Sequence, residues 1–413
     1  MREAQHQTFT THDGVQLFYR HWPGSTPAGE PRQAVLLFHR GHEHSARIAH
    51  LVDELDLPHL DFFAWDARGH GLSPGERGDS PSFATSVRDV QTFCDHLQCQ
   101  HQIDESDIAV IAQSVGAVIV ATWVHDYAPR IRSLVLASPA FKVKLYVPFA
   151  RQGLALMRRF RGNFFVNSYV KARFLSHDPE RVASYDNDPL ITKAISVNVL
   201  LGLYEAADRV VADAQAIQVP TQLLISGADF VVHRKPQEQF FERLGSLQKE
   251  KHLLPGFFHD TLGEKNRAHA VASARRFILQ NFAQAPERPS LLEADRLGLT
   301  CAESESLAAP LPHNSLRDLY WRMTRASMRL GSRLSTGVKL GFDTGFDSGS
   351  TLDYVYRNTP SGTSAIGRMI DRNYLDSIGW RGIRQRKLHV EELLRLAMAR
   401  LREQGREVRI VDI

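Results

Sequence analysis

Short apolar runs bounded by turn residues recur along the first two thirds of the chain, at residues 34–38, 62–65, 108–111, 133–137, 221–226 and 251–254. Their length suits buried strands. Between them, residues 46–54, 83–97, 117–127 and 238–244 place apolar side chains at helical spacing, and residues 268–282 do so after the last run. Strands that alternate with helices predict an α/β fold, a mainly parallel sheet covered on both faces. Ahead of it, the alternation of residues 8–11, the Asp13-Gly14 pair and residues 15–21 predict a β-hairpin, because Asp-Gly readily takes the positive φ angles of a tight turn.

Residues 139–219 break the rhythm. They are rich in apolar, aromatic and basic residues without a convincing strand, which predicts a helical insertion acting as a lid. Within it, residues 146–174 interleave Phe149, Phe160, Phe164, Phe165, Tyr169 and Phe174 with arginines such as Arg158, Arg159 and Arg161. That mixture fits a face that touches a lipid surface, and equally one whose aromatics turn inward under solvated arginines. Residues 283–312 are rich in Ala, Pro, Ser and Glu and read as a linker between a domain over residues 1–282 and an extension over 313–413. In the extension, residues 314–334 and 390–404 predict amphipathic helices on either side of a Gly/Ser/Asp-rich stretch, 335–362, and residues 408–413 read as strand-like.

Composition narrows the function classes. A formal charge of +4 on 413 residues is slight, so nucleic-acid binding is not expected. Cys94, Cys99 and Cys301 are too few and too scattered for a disulfide framework or a zinc site, which suits a reducing compartment. No signal-peptide pattern opens the chain and no run has the roughly 18 apolar residues of a membrane span. A cytoplasmic protein is the expectation, with peripheral contact at the inner membrane surface through the lid.

The chemistry centres on Ala112-Gln113-Ser114-Val115-Gly116, which follows a strand and precedes a helix. This is the setting of a nucleophile elbow, where a sharp turn exposes a serine hydroxyl and small residues two positions away avoid clashes. Such a pentapeptide also occurs by accident. Its context adds to it: Asp229 follows the strand at 221–226, and His259 lies in the loop after the strand at 251–254. In this reading His259 takes the Ser114 proton, while Asp229 orients the imidazole and stabilises its cation. An oxyanion hole would use the backbone N–H of Val115 and that of Gly41, in the loop His39-Arg40-Gly41-His42-Glu43-His44-Ser45 after an early strand. Two other readings of that loop stay open: a turn whose Ser45 caps the next helix, and a metal site, although its ligand-type residues lack a helical i, i+4 pair.

These residues resemble the monoacylglycerol lipase and lysophospholipase group of the α/β-hydrolases, which includes the serine aminopeptidase S33-like proteins. The loop from His39 to Ser45 is similar to the group's H-G-x-G-E-H-S, and Asp66-Ala67-Arg68-Gly69-His70-Gly71-Leu72-Ser73 to its D-x-x-G-H-G-x-S. The resemblance implies an α/β-hydrolase fold with a helical lid, no cofactor, and hydrolysis of monoacyl esters by Ser114, Asp229 and His259, with Gly41 and Val115 as oxyanion donors. Arg40 and His42 stand where the group has glycines. The extension resembles the beginning of a class I S-adenosylmethionine-dependent methyltransferase, without the glycine-rich loop that holds that cofactor. A basic helical appendage is the alternative. An esterase, thioesterase or peptidase on another acyl substrate, and a docking protein that keeps only the fold, remain as competing functions.

Overall fold

The structure, a computed structural model, describes residues 2–27, 31–144, 147, 149–168, 170–284, 301–313 and 315–411. It divides into two compact units, Met1–Pro289 and Ser290–Ile413.

The first unit is built on eight strands: β1 (Gln5–Thr10), β2 (Gln16–Trp22), β3 (Ala34–Phe38), β4 (Asp61–Trp65), β5 (Ile108–Gln113), β6 (Ser133–Ala137), and, beyond a small two-stranded ribbon of β7 (Phe165–Asn167) and β8 (Ala194–Ser196), β9 (Thr221–Ser226) and β10 (Lys249–Leu254). The sheet order is β1-β2-β4-β3-β5-β6-β9-β10. The hairpin β1/β2 and the pair β2/β4 are antiparallel, and every pairing from β4 onward is parallel. Successive side chains of a strand face opposite ways. Leu36, Phe38, Val110 and Ala112 therefore enter one core with α2 (Phe83–His101), α3 (Val115–Tyr127), α6 (Val197–Ala212) and α7 (Arg234–Arg243). Val35, Leu37, Ala109 and Ile111 enter the other with α1 (Leu51–Glu54) and α8 (Ala268–Phe282). The edge strand β10 reads Lys-Glu-Lys-His-Leu-Leu, and its exposed charges discourage another chain from pairing there.

Three local expectations change. The helix expected over residues 46–54 is a 3-10 turn, Ser45–Arg47, followed by the single turn α1, and Ser45 does not cap it: its N–H donates to Asp66 Oδ1 at 2.6 Å. The insertion contains α4 (Ala150–Arg161), α5 (Pro179–Asn187) and the β7/β8 ribbon, whose three-residue strands are too short to show an alternation. Its last helix, α6, buries Leu203, Ala206, Ala207 and Val210 in the main core, so the end of the stretch read as lid belongs to the body of the unit. Tyr169 of that stretch lies outside the described residues.

The second unit is helical: α9 (Cys301–Ala308), α10 (Leu316–Ser332), α11 (Thr336–Thr344), α12 (Gly349–Arg357), α13 (Ala365–Leu375) and α14 (Ile378–Glu403). The first helix falls inside the stretch read as linker, of which residues 285–300 lie outside the described residues. Helix α14 starts 12 residues before the expected 390. The Gly/Ser/Asp-rich stretch holds α11 and α12 because its serines are caps: Ser335 Oγ accepts from Val338 N and Ser348 Oγ from Thr351 N. Buried Asp371 joins three helices, accepting from Ser335 Oγ, Gly337 N, Tyr354 Oη and Ser361 N. Residues 408–411 form no strand, and Asp412 and Ile413 lie outside the described residues.

Candidate active site

The parallel strands β3, β4, β5, β9 and β10 end on the same side of the sheet, which is where an open α/β sheet presents its loops for chemistry. Ser114 follows β5 directly at φ 56° and ψ −118°, a strained geometry for a residue with a side chain. The turn is tight enough that a Cβ on Gly116 would lie 2.3 Å from the His39 carbonyl, so only glycine fits there.

The structure brings the three expected residues together. Ser114 Oγ lies 2.7 Å from His259 Nε2, and His259 Nδ1 lies 2.8 Å from Asp229 Oδ2. The other oxygen of Asp229 accepts from Val231 N at 2.7 Å and Val232 N at 3.0 Å, which fixes the carboxylate plane. Burial opposes ionisation of Asp229, but the His259 ring and these two donors outweigh it and hold the carboxyl below its ordinary value. An ionised carboxylate only accepts, so the His259 proton sits on Nδ1 and the Nε2 lone pair faces the serine hydroxyl. Ser114 and His259 are only 5% and 3% exposed.

Gly41 packs against the start of α3: a Cβ there would lie 2.9 Å from Val115 Cγ2. The loop that carries it is held from several sides. His39 Nδ1 donates to the Arg40 carbonyl at 2.6 Å, while Nε2 accepts from Ala67 N at 3.1 Å, a pattern that requires a neutral ring. Asp66 bridges to the second glycine-rich loop, accepting from Ser45 N at 2.6 Å and Leu72 N at 2.8 Å, so the D-x-x-G-H-G-x-S motif braces the loop that carries Gly41. His42 keeps the left-handed backbone of the glycine it replaces, at φ 68°. The ligand-type side chains do not converge: Glu43 pairs with Arg40 and Arg47, and His44 with Asp188.

Sequence reasoning passed over Gln113 and Asp260, the neighbours of Ser114 and of His259. Gln113 Nε2 donates to Asp260 Oδ1 at 3.0 Å. Their adjacency to Ser114 and His259 was visible, but nothing in their types showed that they meet. A cluster of rings, Phe174, Phe230, Phe258 and His177, also joins the insertion to the loops that carry Asp229 and His259, with the His177 and Phe258 centroids 3.8 Å apart.

Burial, the largest cause in each case, pushes His42 down to about 4, His70 to about 3 and His101 to about 4. Between pH 6.5 and 4 the unfolded chain thus binds protons that the folded chain refuses, and stability falls as pH falls through that window. We expect a loss of about 1–2 kcal/mol per histidine between pH 7.5 and 5.0, from about 1.4 kcal/mol per pKa unit. Urea unfolding at the two pH values checks it, and coincident midpoints would contradict it.

Residues 29–266 match the profile of a family described as serine aminopeptidase, S33. The chain belongs to that family. Residues 274–413 match a second profile, described as "Putative methyltransferase". This S33 member is 56% identical to the uncharacterized protein YnbC of Escherichia coli K12 over 98% of its own length and 69% of that protein's. It is 28% identical to the monoglyceride lipase of Mus musculus, over 60% of its own length and 80% of the lipase's. Among solved structures it superposes with a TM-score of 0.59 on a soluble variant of the monoglyceride lipase of Saccharomyces cerevisiae, at 19% identity over 68% of this chain and 96% of that one. The fold is that of the α/β-hydrolases.

Proposed function

We propose that this S33 hydrolase cleaves carboxylic esters of monoacyl lipids, such as monoacylglycerols or lysophospholipids, through an acyl-enzyme intermediate. The observation that carries the reading is the continuous Ser114–His259–Asp229 relay at the ends of β5, β10 and β9. Ser114 Oγ attacks the ester carbonyl as its proton passes to His259 Nε2. The carbonyl oxygen gains the charge, and the N–H groups of Gly41 and Val115 are its proposed donors. Collapse expels the alcohol, which takes the proton from His259, and a water activated by the same imidazole then hydrolyses the acyl-serine. The choice of monoacyl lipid is supported by the likeness to monoglyceride lipases, and the family's description makes peptides the competitor to exclude. A hydrolysis screen over monoacylglycerols, lysophospholipids, acyl thioesters, short p-nitrophenyl esters and aminoacyl amides tests it. The highest kcat/KM should fall on a long monoacyl ester, and preference for an aminoacyl amide would reject the reading.

The insertion supplies a membrane-facing surface in the same proposal. Phe149 and Phe160 are each 81% exposed, beside exposed Leu156 and Met157 and the arginines Arg158, Arg159 and Arg161. Apolar side chains among arginines suit an anionic lipid interface. Phe164, in contrast, packs against Val197, Leu201 and Tyr204. Replacing Phe149 and Phe160 together by serine should lower hydrolysis of a micellar substrate by about 100-fold, given about 1.5 kcal/mol for each of the two removed apolar side chains, and leave a soluble short ester unaffected. Equal loss on both substrates would remove the interface from the proposal. No described helix is long and apolar enough to cross a membrane. A cytoplasmic location belongs to the same proposal and rests on the three free thiols.

A further inference from the structure

The residue after the base, Asp260, is 1% exposed, and its carboxylate is a junction of four segments. From the elbow, the Gln113 amide donates to Oδ1 at 3.0 Å and to the His259 carbonyl at 3.3 Å. From the insertion, Arg181 of α5 donates through Nε to Oδ2 in a short bond and through Nη2 to Oδ1 at 3.4 Å, while Leu175 O accepts the Asp260 N–H at 2.7 Å. From the oxyanion loop, Arg40 Nη2 lies 3.5 Å from Oδ2. Arg40 is in turn gripped by Glu43, at 3.0 Å through Nε and 2.6 Å through Nη2. Arg47 closes the set, reaching Glu43 Oε1 at 3.4 Å and exchanging backbone contacts with Arg181.

A buried ion cluster is by itself weak support for stability, because desolvation consumes much of the Coulomb gain. Its placement is more informative. Gln113 precedes Ser114, Asp260 follows His259, Arg40 precedes Gly41, and Arg181 belongs to the insertion. Pulling these four side chains to one point restrains the backbone next to each reacting group. Burial opposes the charge on Asp260, but Arg181 and Arg40 outweigh it and keep the carboxylate ionised well below its usual range. The cluster also gives a place to Arg40, which stands where related loops carry glycine: its guanidinium is engaged by Glu43 and lies 3.5 Å from Asp260.

We propose that Asp260 is a positioning residue for the hydrolysis described above, holding Gln113, Arg40 and Arg181 so that Ser114, His259 and the oxyanion loop stay in reacting geometry while the insertion is seated. It touches no reacting atom and acts through its neighbours. Errors of about 1 Å in such an arrangement cost about 100-fold in rate. The inference rests on the serine-hydrolase reading, so the test measures both separately.

The full chain and its variants are titrated with a fluorophosphonate to count functional Ser114, and kcat per titrated site and KM are read on a short p-nitrophenyl ester. Asp260→Asn keeps the shape and removes the charge, and should lower kcat per site by about 10- to 100-fold with KM within about threefold. A purely structural role would lower the number of titratable sites and the melting temperature but leave the rate per site unchanged. Arg181→Lys, which keeps the charge, should retain a higher rate per site than Arg181→Gln. A rate per site within about twofold of wild type in Asp260→Asn overturns the inference while the hydrolase reading stands. If Asp260→Asn does not fold, the Arg181 pair decides: glutamine slower than lysine supports the inference, and equal rates overturn it. A wild-type chain that neither labels nor hydrolyses any ester overturns the hydrolase reading and the inference with it.

Discussion

Ser114→Ala is expected to lower kcat by at least about 1,000-fold while the protein stays folded. The hydroxyl bonds to His259 Nε2 at 2.7 Å, and without it the imidazole has no nucleophile to activate. Alanine keeps the Cβ and so fits the backbone at φ 56° as well as serine does. The neighbouring contacts are backbone ones, Ser114 N to Ala137 O and Ala140 N to Ser114 O, and survive the change. The fold should therefore lose only one hydrogen bond, about 1 kcal/mol. Turnover of a soluble ester and a thermal melt of the purified variant check both halves. Retention of more than about a tenth of wild-type turnover would place the nucleophile elsewhere.

The second large effect is expected from Asp229→Asn, a loss of about 10,000-fold in kcat with the geometry preserved. The amide oxygen can go on accepting from Val231 N and Val232 N, which then turns the NH2 group toward His259 Nδ1. A donor facing Nδ1 forces the ring into the other tautomer, with its proton on Nε2, and the base can no longer accept from Ser114. No second acid stands ready, because the nearby Asp260 carboxylate is occupied by Gln113, Arg40 and Arg181. Steady-state kinetics on a soluble ester, compared with the unfolding midpoint, separate a chemical defect from a folding one. Full activity in this variant would mean that another group orients His259.

The sequence by itself determined where the parallel strands lie along the chain and the positions of Ser114, Asp229 and His259 after them, because each of these residues sits within a few positions of a contiguous apolar run, whereas the order of the strands in the sheet came from the structure. A strand and the loop that follows it are local, so their pattern is readable without the fold. The hairpin, the helices α2, α3, α7 and α8 of the sheet domain, and the two glycine-rich loops were legible for the same reason. Contacts at long range were not. Asp260 meets Gln113 across 147 residues and Arg181 across 79, and nothing in the three side chains announces a partner. The role of α6 was equally hidden: its residues are read only as part of a helical insertion, whereas Leu203, Ala207 and Val210 pack into the main core and Val197, Leu201 and Tyr204 pack with Leu154, Phe164 and Val166 of the insertion. In the second unit serine and glycine have low helix propensity, so the Gly/Ser/Asp-rich stretch predicts no helix, whereas in the structure it holds α11 and α12, capped by Ser335 and Ser348 and tied together by Asp371. Local propensity is a weak prior that burial overrides, and a buried carboxylate chooses its donors in space. Tertiary structure alone therefore decided which charges meet behind Ser114 and His259.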